Sequence, residues 1–148
     1  MANERKTEKI TREMLTKAGY VDELFNIEEQ QSDILRIKEL LKNASKNGSK
    51  HAGYPEFIIT PKDNTDNIVI VIECKADNTK HQSDNFDDAV NYAVDGAIHY
   101  ANYLYTDYNV VCIGISGQTK KELKISAYYI KQNGDNFEEL NMPKNKIS

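Results

Sequence analysis

The chain has 148 residues, of which 39% are hydrophobic and 28% are charged, and its formal net charge is −4 at pH 7. These values predict one soluble domain, and no apolar run reaches the ~20 residues that a membrane-spanning helix requires. The charged start, MANERKTEKI, lacks the apolar core of a secretory signal, so we expect a cytoplasmic protein that does not bind membranes.

Two helices are predicted in the first third of the chain. Gly19 ends the first helix, whose apolar residues at helical spacing are Ile10, Met14, Leu15 and Ala18. After an extended piece at 24–27, Ser32 is expected to cap a second helix whose apolar face ends at Ala44. The following segment, NASKNGSKHAGY, predicts a loop.

A β-hairpin follows this loop. Residues 55–60 and 67–75 are predicted strands, and PKDNTD between them is rich in turn-forming residues. In the second strand, IVIVIECK, both alternating sets of positions are apolar, which is typical of a strand covered on both faces. We therefore expect it at the centre of the sheet.

The second half of the chain predicts a crossover helix and two more strands. A helix capped by Ser83 or Asp84 is expected to run for about six turns to Leu104. Residues 109–116 predict a buried strand and residues 123–131 a final edge strand. The order predicts an α/β fold over residues 1–148, with a mixed β-sheet flanked by helices. The tail, NMPKNKIS, looks cut off rather than finished.

Two cysteines, Cys74 and Cys112, lack the close spacing of zinc ligands. We expect both thiols to be reduced and buried. The net negative charge is unusual for a free-standing nucleic-acid binder, which commonly carries a basic balance. A nucleic-acid partner would therefore require local basic patches or another part of a larger protein.

The end of the second hairpin strand carries candidate catalytic residues. Side chains alternate along a strand, so Glu73 and Lys75 share one face and Cys74 faces the other. If Pro61 pairs with Ile68, Glu56 lies directly opposite Glu73, with Cβ atoms about 4.5–5.5 Å apart. Two carboxylates this close repel unless a proton or a cation lies between them, and oxygen ligands favour Mg²⁺ or Mn²⁺.

A cation held in this way would polarise a phosphodiester and lower the pKa of a bound water. Lys75 would orient that water or neutralise charge on the phosphate, so the pattern indicates hydrolytic cleavage. We also expect this charged strand end to pack little, so that replacing Glu73 or Lys75 leaves the thermal midpoint nearly unchanged.

Glu56 after Pro55, followed by Glu73-x-Lys75 at a strand end, resembles the PD-(D/E)xK nuclease superfamily. Five strings more closely resemble the N-terminal nuclease domain of type IIG and type I-like restriction-modification enzymes: IEEQQSD, LLKNASK, GYPEFIIT, VIECKAD and YAVDGAIHYANYL. The resemblance implies a restriction-endonuclease-like fold and a Mg²⁺- or Mn²⁺-dependent endodeoxyribonuclease. It also implies that Glu56 and Glu73 are catalytic metal ligands, that Lys75 is catalytic, and that the Cys74 carbonyl is a further ligand.

In similar proteins this nuclease domain precedes an N6-adenine DNA methyltransferase. The resemblance therefore implies that residues 1–148 form the N-terminal part of a longer restriction-modification polypeptide. Its expected partners are double-stranded DNA, the methyltransferase and specificity parts, and a second copy of the chain, in a homodimer that is stable, transient or formed on DNA.

Two departures from the resemblance keep alternatives open. The usual aspartate is Glu56 here, and the Q-x-x-x-Y element of many type I relatives is absent, since Asp88 to Tyr92 and Gly96 to Tyr100 have the spacing without the glutamine. One alternative is a nuclease-fold module without cleavage that serves in nucleic-acid binding or assembly. Another is a regulatory α/β domain that does not act on DNA.

Further candidates have two interpretations each. Glu29 is an additional acidic metal ligand, or it supplies favourable charge near a helix N-terminus. Lys42, Lys46 and Lys50 contact DNA phosphates, or they lie on a solvated loop.

Overall fold

The computed structural model describes residues 4–48 and 51–141. Three α-helices and six β-strands are formed there, with a 3₁₀ turn at Asn78–Lys80. The helices are α1 (Glu4–Lys17), α2 (Leu35–Leu41) and α3 (Ala93–Leu104). The strands are β1 (Phe25–Glu28), β2 (Phe57–Pro61), β3 (Ile68–Lys75), β4 (Asn109–Ser116), β5 (Lys124–Ile130) and β6 (Glu138–Leu140).

The strands form one six-stranded sheet in the order β1-β2-β3-β4-β5-β6. β3 and β4 run parallel, and every other neighbouring pair runs antiparallel. A parallel pair needs a crossover connection, which α3 supplies. The predicted α/β class, with a mixed sheet flanked by helices, is confirmed, and it is consistent with a restriction-endonuclease-like fold.

The hairpin register is the one that the sequence predicts. Phe57 pairs with Ile72 and Ile59 with Ile70 between the antiparallel strands β2 and β3. Continuing this register by one residue brings Glu56 opposite Glu73. β3 also lies between β2 and β4, so its predicted central position is confirmed.

Hydrophobic clusters cover both faces of the sheet. On one face, Leu41 of α2 and Val94 of α3 pack with the β3 residues Val69 and Val71. On the other face, Met14 and Leu15 of α1 pack against residues that β2, β3, β4 and β5 contribute, which include Phe57, Ile72, Cys74, Ile113 and Ala127. Burial on both faces explains why β3 is apolar at successive positions.

The start of α3 lies very close to β4. A Cβ atom at Gly114 would lie 2.6 Å from the backbone nitrogen of Val94, so no side chain fits there. The close approach fixes the helix against the two parallel strands, and with it the segment that joins β3 to α3.

The predicted start of the third helix is wrong. Ser83 and Asp84 precede the helix by several residues, and α3 begins at Ala93. Ser83 instead donates its backbone N–H, at 3.0 Å, and its hydroxyl to the carboxylate of Asp95. The amide of Asp88 donates to the same carboxylate at 2.9 Å. These tertiary hydrogen bonds fold residues 83–92 back over the first turn of α3.

Two smaller predictions also need correction. Ser32 accepts a hydrogen bond from the Ile34 amide at 3.0 Å, but α2 begins later, at Leu35, with Ile34 at the cap position. β5 is not the edge of the sheet, because β6 pairs with it on the outer side. Both cysteines are free and buried, as expected.

No helix in residues 4–48 and 51–141 is long and apolar enough to span a membrane.

We predict that Asp95→Ala lowers the free energy of unfolding by about 2–4 kcal/mol. The Asp95 side chain is buried, and its removal leaves three donors of residues 83–88 without their acceptor. Urea unfolding measures the change. Asp84→Ala, in the same segment but at an exposed position, is the matched control and should change stability by less than about 0.5 kcal/mol. Equal losses in the two variants would contradict the role of Asp95.

Candidate functional site

Glu73, near the end of β3, is 1% exposed and yet carries a carboxylate. Its Oε1 accepts the backbone N–H of Glu56 at 3.1 Å, and its Oε2 accepts a hydrogen bond from the Lys46 ammonium at 2.9 Å. Burial raises the pKa of Glu73, and the neighbouring Lys46 opposes that rise. The acid is therefore tolerated in a buried strand because both of its oxygens have partners.

This burial corrects the expectation that the strand end packs little. Glu73 is among the largest fully buried side chains of the described residues. Replacing it with alanine would leave both a cavity and an unpaired ammonium, so Glu73→Ala is expected to destabilise the protein. The expectation of a nearly unchanged thermal midpoint is therefore withdrawn for Glu73.

The carboxylate of Glu56 lies next to α1. Carboxylate oxygens of Glu4, Glu8 and Glu56 lie within 4.8 Å of one another, and all three residues are partly buried. Glu73 is not a member of this group, which we call the acidic triad. The hairpin thus sets the backbone of Glu56 against Glu73, while the side chain of Glu56 reaches the first helix.

Nearby cations compensate the acidic triad only in part, since Arg12 lies 3.6 Å from Glu8 and Lys75 lies 3.7 Å from Glu4. The pKa of Glu56 rises to about 7, first because of burial and then because of repulsion from Glu73, Glu8 and Glu4. The pKa of Glu8 is also raised, chiefly by burial. A hard divalent cation prefers carboxylate oxygens and would relieve this repulsion. The residues present therefore fit Mg²⁺ or Mn²⁺.

Lys75 lies beside the acidic triad. Its side chain is 18% exposed, and its ammonium is 3.7 Å from Oε1 of Glu4. It lines an open cleft of 560 Å³ whose other lining residues are Glu4, Arg5, Glu8, Ala76, Asp77, Lys80 and Asn91. Acids and cations thus share one cleft.

Polar contacts dock α1 at this end of the sheet. The Thr7 hydroxyl donates to the carbonyl of Gly117 at 2.5 Å, and the amide of Gly117 donates to the carbonyl of Lys75 at 2.9 Å. The Thr11 hydroxyl lies 3.6 Å from Sγ of Cys74, whose thiol pKa is raised by burial. Cys74 therefore faces α1, on the side opposite Glu73, as side-chain alternation predicts.

Glu29 is engaged elsewhere. Arg12 of α1 donates to it through Nε at 2.9 Å and Nη2 at 2.5 Å, and this pair lowers the pKa of Glu29. Glu29 follows β1 and precedes α2 by several residues, so the expected place near a helix start is wrong.

Glu4 and Glu8 are the acids that sequence reasoning missed. They are four residues apart, which places them on one face of a helix, and this spacing was the available signal. The spacing of Glu4 and Glu8 indicates a shared site only in the folded structure, where α1 packs beside Glu56.

The three lysines of the predicted loop differ. Lys42 is exposed and lines a separate small pocket of 180 Å³. Lys46 points inward to Glu73 and its side chain is 22% exposed. Lys50 lies outside the described residues.

Comparison with known proteins finds a relative. The chain is 31% identical over 146 residues to "Type II restriction enzyme and methyltransferase RM.BcgI" of Heyndrickxia coagulans. The match covers 89% of this chain and 21% of the relative, so the chain spans about one fifth of the relative's length. No family model and no solved structure matches the chain. The similarity supports a restriction-enzyme-related domain.

We predict a pH dependence of stability in the metal-free protein. The pKa of Glu56 is about 7 in the fold, against 4.5 for an ordinary glutamate, so the folded state holds this proton more tightly than the unfolded state. Its stabilising effect is complete below about pH 4.5 and is lost as the pH rises through about 7. The thermal midpoint should therefore fall between about pH 5 and pH 8.

Glu56→Gln should flatten this fall, because the amide does not ionise. Glu13→Gln, an exposed position on α1, is the matched control and should keep the wild-type profile. Thermal melts across the pH range measure both. An unchanged slope in Glu56→Gln would show that Glu56 does not titrate as described.

Proposed function

We propose that this chain is a metal-dependent DNA endonuclease domain that acts within a restriction-modification system. The observation that carries the proposal is the acidic triad beside Lys75 at the end of β3. The similarity to a protein named as a restriction enzyme and methyltransferase supports it independently.

Mg²⁺ or Mn²⁺ would be held by Glu56 and Glu73 of the hairpin, with Glu8 and Glu4 of α1 and the Cys74 carbonyl as further ligands. When bound, the ion supplies Lewis-acid activation of a phosphodiester and of a water. Lys75 orients the attacking water and offsets negative charge on the phosphate, since an ammonium has three donors and no acceptor. The cleft walls hold the sugar-phosphate chain through Lys80.

The proposed partners are double-stranded DNA and the methyltransferase and specificity parts of a longer polypeptide. The net charge of −4 supports this division, because a chain of this charge gains little nonspecific affinity for phosphates. Cutting both strands requires two sites, so a homodimer is proposed for double-strand cleavage.

A second candidate is a nuclease-fold module without cleavage. The internal pairing of both Glu73 oxygens favours it, because a carboxylate that is already satisfied has less to gain from a metal ion. DNA binding without nicking would identify this case.

We predict that the purified protein nicks supercoiled plasmid in Mg²⁺ or Mn²⁺ and that Lys75→Ala lowers the rate about 100-fold or more. The ion pair of Lys75 with Glu4 is long, at 3.7 Å, so the variant should keep a thermal midpoint close to that of the wild type. Lys62→Ala removes an exposed lysine at the far end of the hairpin and is the matched control. Equal nicking by Lys75→Ala and the wild type would refute the assignment.

We also predict that Glu8→Gln raises the half-saturating Mn²⁺ concentration about tenfold, because the triad loses one charge. Glu56→Asp should retain or improve activity, whereas Glu56→Gln should lose it. Calorimetric Mn²⁺ titrations and plasmid assays measure these effects, with Glu13→Gln as the matched control on α1. Identical Mn²⁺ dependence in Glu8→Gln and Glu13→Gln would exclude Glu8 from the site.

A further inference from the structure

The two oxygens of Glu73 have different surroundings. Oε1 accepts a hydrogen bond from the backbone amide of Glu56, and Oε2 accepts one from the Lys46 ammonium. Helix α3 closes the space behind the carboxylate, because a Cβ atom at Gly96 would lie 3.3 Å from Cγ and 3.4 Å from Oε2 of Glu73. Oε2 is therefore enclosed between Lys46 and the backbone of α3.

Described residues before and after the loop that carries Lys46 are hydrogen-bonded to each other and to α3. The carbonyl of Ala44 lies 2.9 Å from Nε2 of His99 on α3, and the amide of Ser45 donates to the carbonyl of His51 at 3.0 Å. The amide of Gly53 donates to the carbonyl of Leu41 at 2.8 Å. Lys46 thus follows directly on two residues, Ala44 and Ser45, that are hydrogen-bonded to other parts of the fold.

Sites that use two metal ions for phosphodiester cleavage hold them about 3.5–4 Å apart, bridged by shared carboxylates. At Glu73, the ammonium of Lys46 already lies where a cation would bind Oε2. A second divalent ion there would be repelled by this ammonium in a poorly hydrated environment. The surroundings of Oε2 hence admit one positive group, and the chain itself provides it.

We propose that Lys46 is a positioning residue that takes the place of a second metal ion at Glu73, so that the centre binds a single divalent ion per chain. This inference rests on the proposed function, since it assumes that the acidic triad holds a metal. It also assigns Lys46 a role other than the DNA-phosphate contact expected from the sequence. The Lys46 ammonium holds the Glu73 carboxylate in the orientation in which Oε1 accepts the hydrogen bond from the Glu56 amide.

Mn²⁺ binding by the purified protein tests the proposal without use of activity. Calorimetry, with electron paramagnetic resonance of free Mn²⁺, should give one ion per wild-type chain. Two ions per wild-type chain would overturn the role of Lys46 and leave the proposed function intact. No Mn²⁺ binding would overturn both.

The variant Lys46→Met should lower the thermal midpoint of the metal-free protein by roughly 5–10 °C, because Glu73 loses its counter-ion. Mn²⁺ should raise the midpoint of Lys46→Met by more than it raises that of the wild type, since an ion then occupies the place of the ammonium. Lys46→Arg keeps the charge and should bind one ion. Lys38→Met, an exposed lysine on α2, is the matched control.

Equal Mn²⁺ increments in Lys46→Met and the wild type would mean that Lys46 is only a structural partner of Glu73, and would overturn the proposal. If Lys46→Met does not fold, the Mn²⁺ stoichiometry of the wild type and of Lys46→Arg decides the question.

Discussion

The buried carboxylate of Glu73 is the constraint on which this end of the molecule depends. An isolated carboxylate in an apolar interior costs several kcal/mol, so the surrounding chain must supply partners for it. Two segments do so, the hairpin through the Glu56 amide and the loop after α2 through Lys46. Helix α3 approaches the same carboxylate closely because Gly96 has no side chain. Segments that are distant in sequence are thereby held at one strand end.

Two kinds of acidic environment lie side by side as a result. Glu73 is fully buried and paired with Lys46 at 2.9 Å, whereas the acidic triad lies next to an open cleft and has longer ion pairs, of 3.6 Å from Glu8 to Arg12 and 3.7 Å from Glu4 to Lys75. The difference appears in Glu56, whose pKa rises to about 7. Glu73 is thus held by its own partners, whereas the acidic triad gains from binding a cation.

The sequence predicts the central hairpin well because the information there is local. Apolar residues on both faces of β3 and the turn-forming residues before it determine both strand position and register. The start of α3 is not predictable in this way. Ser83 does not cap a helix because it binds the carboxylate of Asp95, which lies twelve residues later in the sequence. The burial of Glu73 depends on a lysine 27 residues away, and the triad depends on how α1 docks. Pairing of β1 and β6 at the sheet edges likewise follows from tertiary contacts.

The docking of α1 through Thr7 has a practical consequence for handling the molecule. Since Glu4 and Glu8 lie in the first turns of this helix and line the cleft, the start of α1 is a component of the cleft. A truncation that removed Glu4 and Glu8 would therefore alter the chemistry of the cleft directly, whereas Met14 and Leu15, farther along α1, pack the helix against the sheet.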